Sequence, residues 1–563
     1  MSIAPTHTSA KTAGEGTGDA FNIASYLPRM AASHPEQAAV VLAGSKDRHD
    51  ARLSFVELER LTNRYANGLV GAGFERGMRT LLMVRPGFDF IALVFALFKI
   101  GAVPVMIDPG MGARRMLECL RSVDLQGFVG IPLAHFMRVL RPRSFRAVKR
   151  VVTVGRRWCW GGPTLQSISR TAVDDFDFIK TRRDETAAVL FTSGATGPAK
   201  GVVYEHGMFD AQVRSIQATY GIKPGEVDLP TFPLFALFST AMGMTAVIPD
   251  MDPSRPGSVD PSKIVNAIRS HGVTTTFGSP ALWRRVADFC VERRVKLPSL
   301  RRILIAGAPV STELIEKLHR VIGEEADVHT PYGATESLPV ASIGGRERLG
   351  ECATKTRTGG GICVGKPLGG VDLRIIRITD DAIPTWRDDL TIPDGEIGEI
   401  VVSGPVVTRE YFGLPEATRL AKISDGDRIR HRIGDVGYRD GDGRIWFCGR
   451  KAHRVETNGG TRFSVCCEAI FNEHPDVNRS ALVGVGSSTI RRAAIVIEPL
   501  PRRFPKGMRT LRFREELLEL GRTNPLTETI RDVLFHKSLP VDIRHNAKIN
   551  REALAGWAAE RLR

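Results

Sequence analysis

The chain has 563 residues, with 78 Lys and Arg against 62 Asp and Glu and a formal net charge of +16. This length is too great for one hydrophobic core and predicts about three or four packed units. The cationic excess is spread along the chain without the aromatic interleaving of nucleic-acid-binding motifs, so we expect no nucleic-acid partner. The charge is instead consistent with an anionic membrane surface or with polyanionic small substrates.

The sequence predicts a protein of the cytoplasm. Residues 1–20 are small and polar and lack the apolar core of a secretory signal, so we expect a disordered leader. The most apolar run, residues 90–107, contains Lys99, Gly101 and Pro104, which favours a buried helix followed by a buried strand over a membrane span. Eight cysteines are scattered without metal-ligand spacing, which indicates a reducing compartment and no structural zinc.

The next elements along the chain predict a parallel sheet. Ser54 and Glu57 form a capping box at the start of an amphipathic helix. Continuous apolar runs then recur, separated by helix-length segments, and they begin at Thr80, Ala102, Arg150, Ala187, Val273 and Arg301. Such runs are typical of parallel strands covered on both faces. Because ligands bind beyond the carboxyl ends of these strands, we expect a site where the runs end in Gly, Ser and Pro.

The pattern changes at about residue 371. Short strands separated by turn signals, such as the Asp–Gly pairs at Asp440 and Asp442, predict a barrel-like subdomain over residues 371–448. From residue 449 to 563 strands alternate with helices. The predicted fold class is therefore α/β: a large N-terminal domain, residues 21–448, of doubly wound mixed sheets plus the small β-barrel subdomain, followed by a mobile α+β C-terminal domain, residues 449–563.

A loop built for an anion follows the apolar run at Ala187. Glycines let backbone amides approach a phosphate, hydroxyl groups add donors and a lysine adds a point charge. The residues with these roles are Thr192, Ser193, Gly194, Thr196, Gly197 and Lys200. The loop is not a Walker A motif, because Ala199 precedes the lysine and Gly201 follows it. Taken alone, such a loop after a strand is more often a plain turn.

Three further stretches contain candidate ligands for a nucleotide and its metal ion. In residues 330–339, Tyr332 offers a flat face for a base, Thr335 a hydroxyl for a phosphate, and Glu336 a hard carboxylate of the type that Mg²⁺ prefers. Later in the chain lie the ribose and phosphate ligand candidates Asp435 and Arg450, and then Lys548. In isolation each has a simpler explanation, as a helix-start acid, a turn former or a surface cation.

Together the four stretches resemble the adenylate-forming superfamily, which contains acyl-CoA synthetases, peptide-synthetase adenylation domains and firefly luciferase. TSGATGPAKG matches the phosphate signature of the superfamily, residues 332–336 match its YGxTE motif, Gly434 and Asp435 match its ribose motif, and Lys548 matches its late catalytic lysine. The resemblance extends over about residues 20–560.

The resemblance implies an ATP site and a reaction. Gly307, Ala308 and Pro309 would line the adenine pocket with Tyr332 and Gly333, Asp435 and Arg450 would hold the ribose, and Glu336 would hold Mg²⁺. Thr335, Glu336 and Lys548 would be the catalytic residues, with Lys548 bridging the substrate carboxylate and the α-phosphate. The implied cofactors are ATP and Mg²⁺, and the implied products are an acyl-adenylate and pyrophosphate.

Stretches distributed along the chain resemble one group within the superfamily, the β-lactone synthetases of bacterial long-chain olefin biosynthesis. They are residues 83–110, 156–162, 227–238, 247–256, 330–343, 449–457 and 539–552, and they include departures from the general pattern. Ala452 occupies the hinge position at which an Asp or Lys normally lets the C-terminal domain swing to form a thioester, and Ala236 occupies a position near the acyl site where many members have His or an aromatic residue. The implied substrate is a long-chain 2-alkyl-3-hydroxy acid, whose own β-hydroxyl would displace AMP and close a β-lactone.

Two other functions stay open. A fatty acyl-AMP or acyl-CoA ligase would use the same ATP site. A catalytically weak scaffold of a multienzyme or membrane assembly would use the basic surface, although retention of Lys200, Glu336, Asp435 and Lys548 argues against lost activity.

The expected partners follow from the resemblance and from one basic run. They are a long-chain β-hydroxy acid substrate, other enzymes of the olefin pathway in an assembly, and a peripheral membrane contact. Residues 501–514 hold six cations and no acid, which is typical of a solvated face and, alternatively, of a docking surface for lipid or a partner protein.

Overall fold

The computed structural model describes residues 20–44, 50–192, 199–486, 489–541 and 549–562. The predicted leader, residues 1–20, falls outside these ranges except for its last residue. All eight cysteines are free thiols, and seven of them are buried. None of the described helices combines the length and the apolar character needed to cross a membrane.

Two mixed sheets with their helices form the first 330 residues. Their strands are β1 (Ala38–Leu42), β2 (Ala51–Ser54), β3 (Arg79–Met83), β4 (Val103–Ile107), β5 (Gly127–Gly130), β6 (Arg150–Thr153), β7 (Thr186–Thr192), β8 (Lys200–Glu205), β9 (Val227–Pro230), β10 (Thr245–Ile248), β11 (Thr275–Gly278), β12 (Arg302–Ile305) and β13 (Asp327–His329). Their helices are α1 (Tyr26–Ser33), α2 (Phe55–Gly71), α3 (Phe88–Lys99), α4 (Ala113–Ser122), α5 (Pro132–Leu140), α6 (Leu165–Ser169), α7 (His206–Tyr220), α8 (Phe235–Ala241), α9 (Pro261–Ser270), α10 (Pro280–Glu292) and α11 (Thr312–His319).

The first sheet has the order β6-β5-β3-β4-β7-β8 and the second the order β13-β12-β11-β9-β10-β1-β2. In each sheet the strands run parallel except at one edge, where β8 pairs antiparallel with β7 and β2 pairs antiparallel with β1. The six apolar runs predicted as strands are β3, β4, β6, β7, β11 and β12, and their parallel pairing is confirmed. The prediction did not include β5, because four residues with a glycine at each end give little pattern.

The helix predicted within the most apolar run is α3, and it is buried on every side. Residues 90–99 of this helix are all buried, including Lys99, whose side chain is fully enclosed. The Lys99 ammonium donates to Glu59 and to Asn63, each at 2.5 Å, and both partners lie on α2. Helix α2 begins at the predicted capping box of Ser54 and Glu57. This pair of helices therefore anchors the core of the N-terminal part of the chain.

An eight-stranded sheet of mainly antiparallel strands follows. Its strands are β14 (Tyr332–Ala334), β15 (Ser337–Ser342), β16 (Ile362–Pro367), β17 (Asp372–Ile376), β18 (Gly398–Ser403), β19 (Lys422–Asp425), β20 (Arg428–Arg439) and β21 (Ile445–Arg450), with α12 (Gly345–Leu349), α13 (Glu351–Arg357) and α14 (Pro415–Ala421). The order is β14-β15-β16-β21-β20-β18-β17, and β19 pairs with β20. Its first three strands precede residue 371.

The last part of the chain is a small α+β unit. A hairpin of β22 (Val455–Thr457) and β23 (Gly460–Arg462) precedes a three-stranded sheet of β24 (Val477–Val485), β25 (Arg492–Pro499) and β26 (Asp532–Phe535). The helices are α15 (Ser464–Asn472), α16 (Met508–Arg522) and α17 (Arg551–Arg561). Cys466 of α15 packs into one apolar cluster with Trp446 and Cys448 of β21. The domain limits at residues 371 and 449 stay predictions.

One buried carboxylate in the second sheet makes the stability of the fold depend on pH. Asp228 of β9 is 5% exposed, and Ser239 donates to its Oδ2 at 2.5 Å. Burial raises the pKa of Asp228 to about 7. Between the ordinary pKa of an aspartate and pH 7 the folded protein therefore binds a proton that the unfolded chain has released. The wild-type protein loses this contribution to stability as the pH rises through that interval.

We expect the Asp228→Asn variant to be more stable than the wild type at pH 8, by roughly 2 kcal/mol of unfolding free energy, because the amide has no buried charge to desolvate. The difference should shrink as the pH falls toward about 3, where Asp228 is mostly protonated in both the folded and the unfolded state. Urea unfolding at the two pH values measures it. The exposed control Asp394→Asn should change little. Equal stabilisation by Asp228→Asn at both pH values would contradict the assignment of a raised pKa.

Candidate active site

A cavity of about 3310 Å³ lies where the two mixed sheets, the eight-stranded sheet and the C-terminal unit meet. Ten residues predicted from the sequence line it: Lys200, Gly307, Ala308, Pro309, Tyr332, Gly333, Thr335, Glu336, Asp435 and Arg450. Ser193, Gly194, Thr196, Gly197 and Lys548 lie outside the described residues, as does the side chain of Thr192. The loop that contains the first four joins the neighbouring ends of β7 and β8, where Thr192 and Lys200 are register partners.

Strand pairing fixes the geometry of Asp435. This residue on β20 is the register partner of Arg450 on β21, so the two side chains meet across the antiparallel pair. The Arg450 guanidinium lies 2.9 Å from Asp435 Oδ1 and also donates to the carbonyl oxygen of Ile433 at 3.2 Å. The Tyr332 hydroxyl donates to the other carboxylate oxygen, Oδ2, at 2.7 Å. These contacts hold a carboxylate, a guanidinium and an aromatic ring at one end of the cavity.

The electrostatics keep this group of side chains in one protonation state. Burial raises the pKa of Tyr332 well above its ordinary value, and the neighbouring Asp435 carboxylate adds to the effect. The same carboxylate raises the pKa of Arg450. Tyr332 therefore remains a hydrogen-bond donor and Arg450 a cation throughout the physiological pH range. A carboxylate with a neighbouring donor of this kind can bind the hydroxyl groups of a sugar.

Glu336 lies at the tip of a two-residue hairpin turn. β14 and β15 are joined through Thr335 and Glu336, because Ala334 and Ser337 are the last paired residues. Gly333 permits the tight approach of the two strands, since a Cβ at this position would lie only 2.5 Å from the carbonyl oxygen of Ser337. The turn projects Thr335 and Glu336 into the cavity, where their side chains are partly exposed.

Residues far away in sequence hold the hairpin turn in place. The Tyr204 hydroxyl of β8 donates to the Thr335 carbonyl oxygen at 2.6 Å. The backbone amide and the hydroxyl of Thr408 both donate to the Glu336 carbonyl oxygen, at 2.9 Å and 3.0 Å. Since β8 begins at Lys200, the contact through Tyr204 also ties the turn to the hairpin of β7 and β8.

Tyr411 connects Lys200 to Glu336. Its hydroxyl donates to Glu336 Oε1 at 2.8 Å, and the Lys200 ammonium lies 4.7 Å from the centre of its ring. Burial, and then the Glu336 carboxylate, raise the pKa of Tyr411, so the hydroxyl stays protonated and donates. Glu336 Oε2 has no hydrogen bond to any residue in the described ranges. The second oxygen is therefore available for another ligand.

A buried lysine lies behind this carboxylate. The Lys422 ammonium donates to the Thr408 carbonyl oxygen at 2.6 Å and to its hydroxyl at 3.0 Å, in a position that is 7% exposed. Burial lowers the pKa of Lys422 to about 7, and the Glu336 carboxylate opposes that shift. Its strand partner His431 is also buried, and burial followed by the Lys422 charge lowers the pKa of His431 far below its ordinary range. His431 is therefore neutral at physiological pH.

Sequence reasoning missed five residues of this network: Tyr204, Thr408, Tyr411, Lys422 and His431. Of these, only Tyr411 could have been noticed in the sequence. It is an aromatic residue a few positions before Pro415, which starts α14. The others occupy strands or loops with no spacing that distinguishes them from ordinary structural residues.

The wall of the cavity away from Asp435 is apolar. Phe235 and Phe238 of α8 line it, and the Phe235 ring stacks on Phe277 of β11 with centroids 3.6 Å apart. Ala236, which the sequence placed near the acyl site, is fully buried behind this wall and does not line the cavity. The helical turn directs the two phenylalanines, rather than Ala236, into the open space. Methionines also line the cavity, at Met83, Met106, Met111, Met116 and Met137.

Ion pairs hold the chain on both sides of the predicted hinge residue Ala452. The Lys451 ammonium lies 3.1 Å from Glu399 Oε1 and donates to the carbonyl oxygen of Thr379 at 2.8 Å. On the other side, Arg454 pairs with Asp380 at 2.6 Å. Glu399 is fully buried, so its pair with Lys451 is shielded from solvent screening. The segment 451–454 is thereby fastened to the loop around residue 380.

Comparison with known proteins agrees with this architecture. Residues 27–412 match the family model described as AMP-binding enzyme. The chain is 46% identical to an olefin beta-lactone synthetase of Xanthomonas campestris pv. campestris and 43% identical to one of Stenotrophomonas maltophilia, in each case over 96% of this chain and 98% of the relative. The structure of ATP-bound MatB from Rhodopseudomonas palustris superposes with a TM-score of 0.77 at 20% identity, over 96% of this chain and all of that one.

These matches confirm the predicted fold class and the resemblance to adenylate-forming enzymes. The structural match at 20% identity establishes the fold, a large N-terminal domain followed by a C-terminal domain. The family match covers more than half of the chain, and the two sequence relatives cover nearly all of it. The chain therefore belongs to the AMP-binding enzyme family, as a relative of the olefin β-lactone synthetases.

Proposed function

We propose that this protein uses ATP to activate the carboxylate of a long-chain 2-alkyl-3-hydroxy acid as an acyl-adenylate, and that the β-hydroxyl of the same molecule then closes a β-lactone. The observation that carries the proposal is the 46% identity with an olefin β-lactone synthetase along 96% of the chain. The products are the β-lactone, AMP and pyrophosphate.

The polar end of the cavity supports an ATP site. Gly307, Ala308, Pro309, Tyr332 and Gly333 would surround the adenine, and Asp435 with Arg450 would hold the ribose hydroxyls. Lys200, and with it Thr192, Ser193, Gly194, Thr196 and Gly197, would hold the phosphates. The carboxylate of Asp435 already has the donor partners that orient it for this role.

Glu336 has the chemistry required to hold Mg²⁺. It offers a hard oxygen ligand, Tyr411 orients it through Oε1, and Oε2 has no hydrogen bond to the described residues. When bound, the ion would neutralise the charge of the phosphates. Lys200 lies against the ring of Tyr411, whose hydroxyl donates to this carboxylate, and the carboxylate opposes the fall in the pKa of the buried Lys422.

The two chemical steps need different groups. In the first, a substrate carboxylate oxygen bonds to the α-phosphorus while the bond to pyrophosphate breaks, and Lys548 with Thr335 would stabilise the charge that develops there. In the second, the β-hydroxyl oxygen bonds to the acyl carbon, the bond from that carbon to AMP breaks, and the hydroxyl proton leaves. Since nucleophile and acyl carbon belong to one molecule, the second step needs only their orientation.

The contacts around the predicted hinge residue Ala452 support a reaction that does not use coenzyme A. An intramolecular nucleophile does not require the C-terminal domain to swing into a second position. The ion pairs of Lys451 and Arg454 on either side of Ala452 oppose such a swing. We therefore retain residue 449 as the proposed start of the C-terminal domain, with 21–448 before it. Assembly with other enzymes of olefin formation stays a prediction.

A direct product analysis tests the proposal. Incubation of a synthetic 2-alkyl-3-hydroxy acid with ATP and Mg²⁺ should yield the β-lactone, AMP and pyrophosphate, as identified by NMR, at the same rate with and without coenzyme A. Release of AMP from a plain fatty acid that depends strictly on coenzyme A would instead establish an acyl-CoA ligase and refute lactone formation.

The role of Lys548 has its own test. The Lys548→Ala variant should lose pyrophosphate release almost completely, because no other cation of the C-terminal unit is assigned to the α-phosphate, while equilibrium ATP binding should change little. Lys537→Ala serves as a matched control in the same unit. An unchanged rate of pyrophosphate release in Lys548→Ala would refute the assigned role.

Tyr411 is expected to orient Glu336. The Tyr411→Phe variant keeps the ring that faces Lys200 but removes the donor to Glu336, so adenylation should fall about 10-fold and require more Mg²⁺ for half-maximal rate. The control Tyr220→Phe removes a hydroxyl that donates to Ser342 at 3.0 Å, away from Glu336. A fall in rate with no change in the Mg²⁺ requirement would show that Tyr411 does not act through the proposed metal ligand.

A further inference from the structure

Helix α5 carries an unusual apolar surface. Leu133, Phe136, Val139 and Leu140 are 69%, 47%, 52% and 59% exposed. At 100° per residue these four positions fall within an arc of about 120°, so they form one face of the helix. The rest of the helix packs inward through Ala134 and His135, which are both buried. We name the four exposed side chains the α5 face.

The chain around the α5 face is strongly basic. Residues 125–173 contain nine Lys and Arg and no Asp or Glu. Eight of these cations are exposed and form no ion pair with a carboxylate of the described ranges. One is Arg170, and the other seven lie between residues 141 and 157: Arg141, Arg143, Arg146, Lys149, Arg150, Arg156 and Arg157. The positive charge of this surface is therefore not compensated locally.

An exposed tryptophan lies beside the helix. Trp160 stacks on His135 of α5, with ring centroids 5.3 Å apart and planes within 4°, and Trp158 packs against Trp160 at 5.4 Å. Trp158 is 54% exposed and directly follows Arg156 and Arg157. Tryptophan is the side chain most typical of the boundary between water and lipid.

The other basic run of the chain differs in its charge balance. Residues 501–514 also expose two large apolar side chains, Met508 at 80% and Leu511 at 52%. Three of its six cations are paired, however: Arg503 and Arg509 lie against Asp476, and Arg512 lies against Glu516. Pairing reduces the attraction of this surface for an anionic partner, so it serves as the natural control.

The α5 face also borders the cavity. Leu133, Phe136 and Leu140 contribute to its lining, next to Met137 and to Met111. The apolar wall therefore reaches the surface of the protein at the α5 face.

We propose that the α5 face is a docking surface for an anionic lipid bilayer. The four apolar side chains would enter the interface, Trp158 would lie at its boundary, and the seven unpaired cations between residues 141 and 157 would contact the lipid phosphates. The charge of the surface fits an anionic membrane rather than a neutral one. The docking itself goes beyond the proposed reaction. Delivery of an acyl substrate from the membrane through this face is a separate step, and only that step depends on the proposed function.

Vesicle binding tests the proposal without any catalytic readout. The full-length protein is sedimented with vesicles of equal parts phosphatidylglycerol and phosphatidylcholine, and separately with phosphatidylcholine alone. We expect binding to the anionic vesicles, weakening as salt is added, and at least about 10-fold weaker binding to the neutral ones. Quenching of Trp158 fluorescence by lipid-borne quenchers should accompany binding and should be lost in Trp158→Phe.

Two variants and a matched control locate the surface. The double variant Leu133→Ser with Phe136→Ser, and the charge variant Arg143→Glu with Arg146→Glu, should each bind anionic vesicles at least about 10-fold more weakly. The control Met508→Ser with Leu511→Ser should bind like the wild type. Thermal unfolding confirms that each variant is folded, and the charge variant alters only exposed side chains.

Several results would overturn the proposal. Absence of wild-type binding to anionic vesicles would do so, as would equal binding by the wild type and the charge variant. Loss of binding in the Met508 and Leu511 control alone would assign membrane contact to residues 501–514 instead. Normal vesicle binding by both α5 variants, together with loss of a protein complex, would make the face a protein interface.

Discussion

The hydrogen bond from the Tyr411 hydroxyl to the Glu336 carboxylate joins the parts of the chain that form the site. Glu336 belongs to the hairpin turn of the eight-stranded sheet, whereas Tyr411 pairs through its backbone with Val202 of β8 in the first mixed sheet. Lys200 lies over the ring of the same tyrosine. One contact therefore sets the position of the proposed metal ligand relative to Lys200, and the pairing of the strands around it must keep these residues in place.

One buried lysine is the electrostatic cost of this arrangement. Lys422 is desolvated enough that its pKa falls to about 7, and its contacts with Thr408 and the nearby Glu336 carboxylate partly offset the loss of hydration. A buried charged group usually makes a protein less stable than an apolar side chain of the same size would. Such a group is therefore retained mainly where it serves a site. The neutral His431 beside it avoids a second buried cation.

Most of the strands and helices of the N-terminal part could be predicted from the sequence, because the patterns that indicate them are local. Capping residues such as Ser54 and the continuous apolar runs depend on neighbours within a few residues, so they could be recognised without knowing the tertiary structure. The same holds for the motifs at Tyr332 and Asp435. The contacts that hold the turn at Glu336 could not be found in this way, since Tyr204 and Tyr411 are more than 70 residues from it on either side. The residues of the apolar wall could not be predicted either, because the sequence pattern does not distinguish Phe235, which lines the cavity, from Ala236, which is buried in the core.

The cavity has a polar end and an apolar end, and this difference would orient the substrate in the proposed reaction. Asp435 and Arg450 mark the end at which a nucleotide would bind, and the α5 face marks the end at which an acyl chain would enter. A substrate that enters along the apolar wall would present its polar head to the groups around Glu336. The carboxylate and the β-hydroxyl then reach the site together, and the first must be activated before the second attacks.

The central claim is that the carboxylate is activated and the hydroxyl attacks. Isotopic labelling with ¹⁸O tests this order most directly. A substrate labelled in both carboxylate oxygens should give AMP that carries one labelled oxygen, whereas a substrate labelled in the β-hydroxyl should give unlabelled AMP and a lactone labelled in its ring oxygen. Labelled AMP from the hydroxyl-labelled substrate would contradict the account, because it would show that the hydroxyl, and not the carboxylate, had been adenylated.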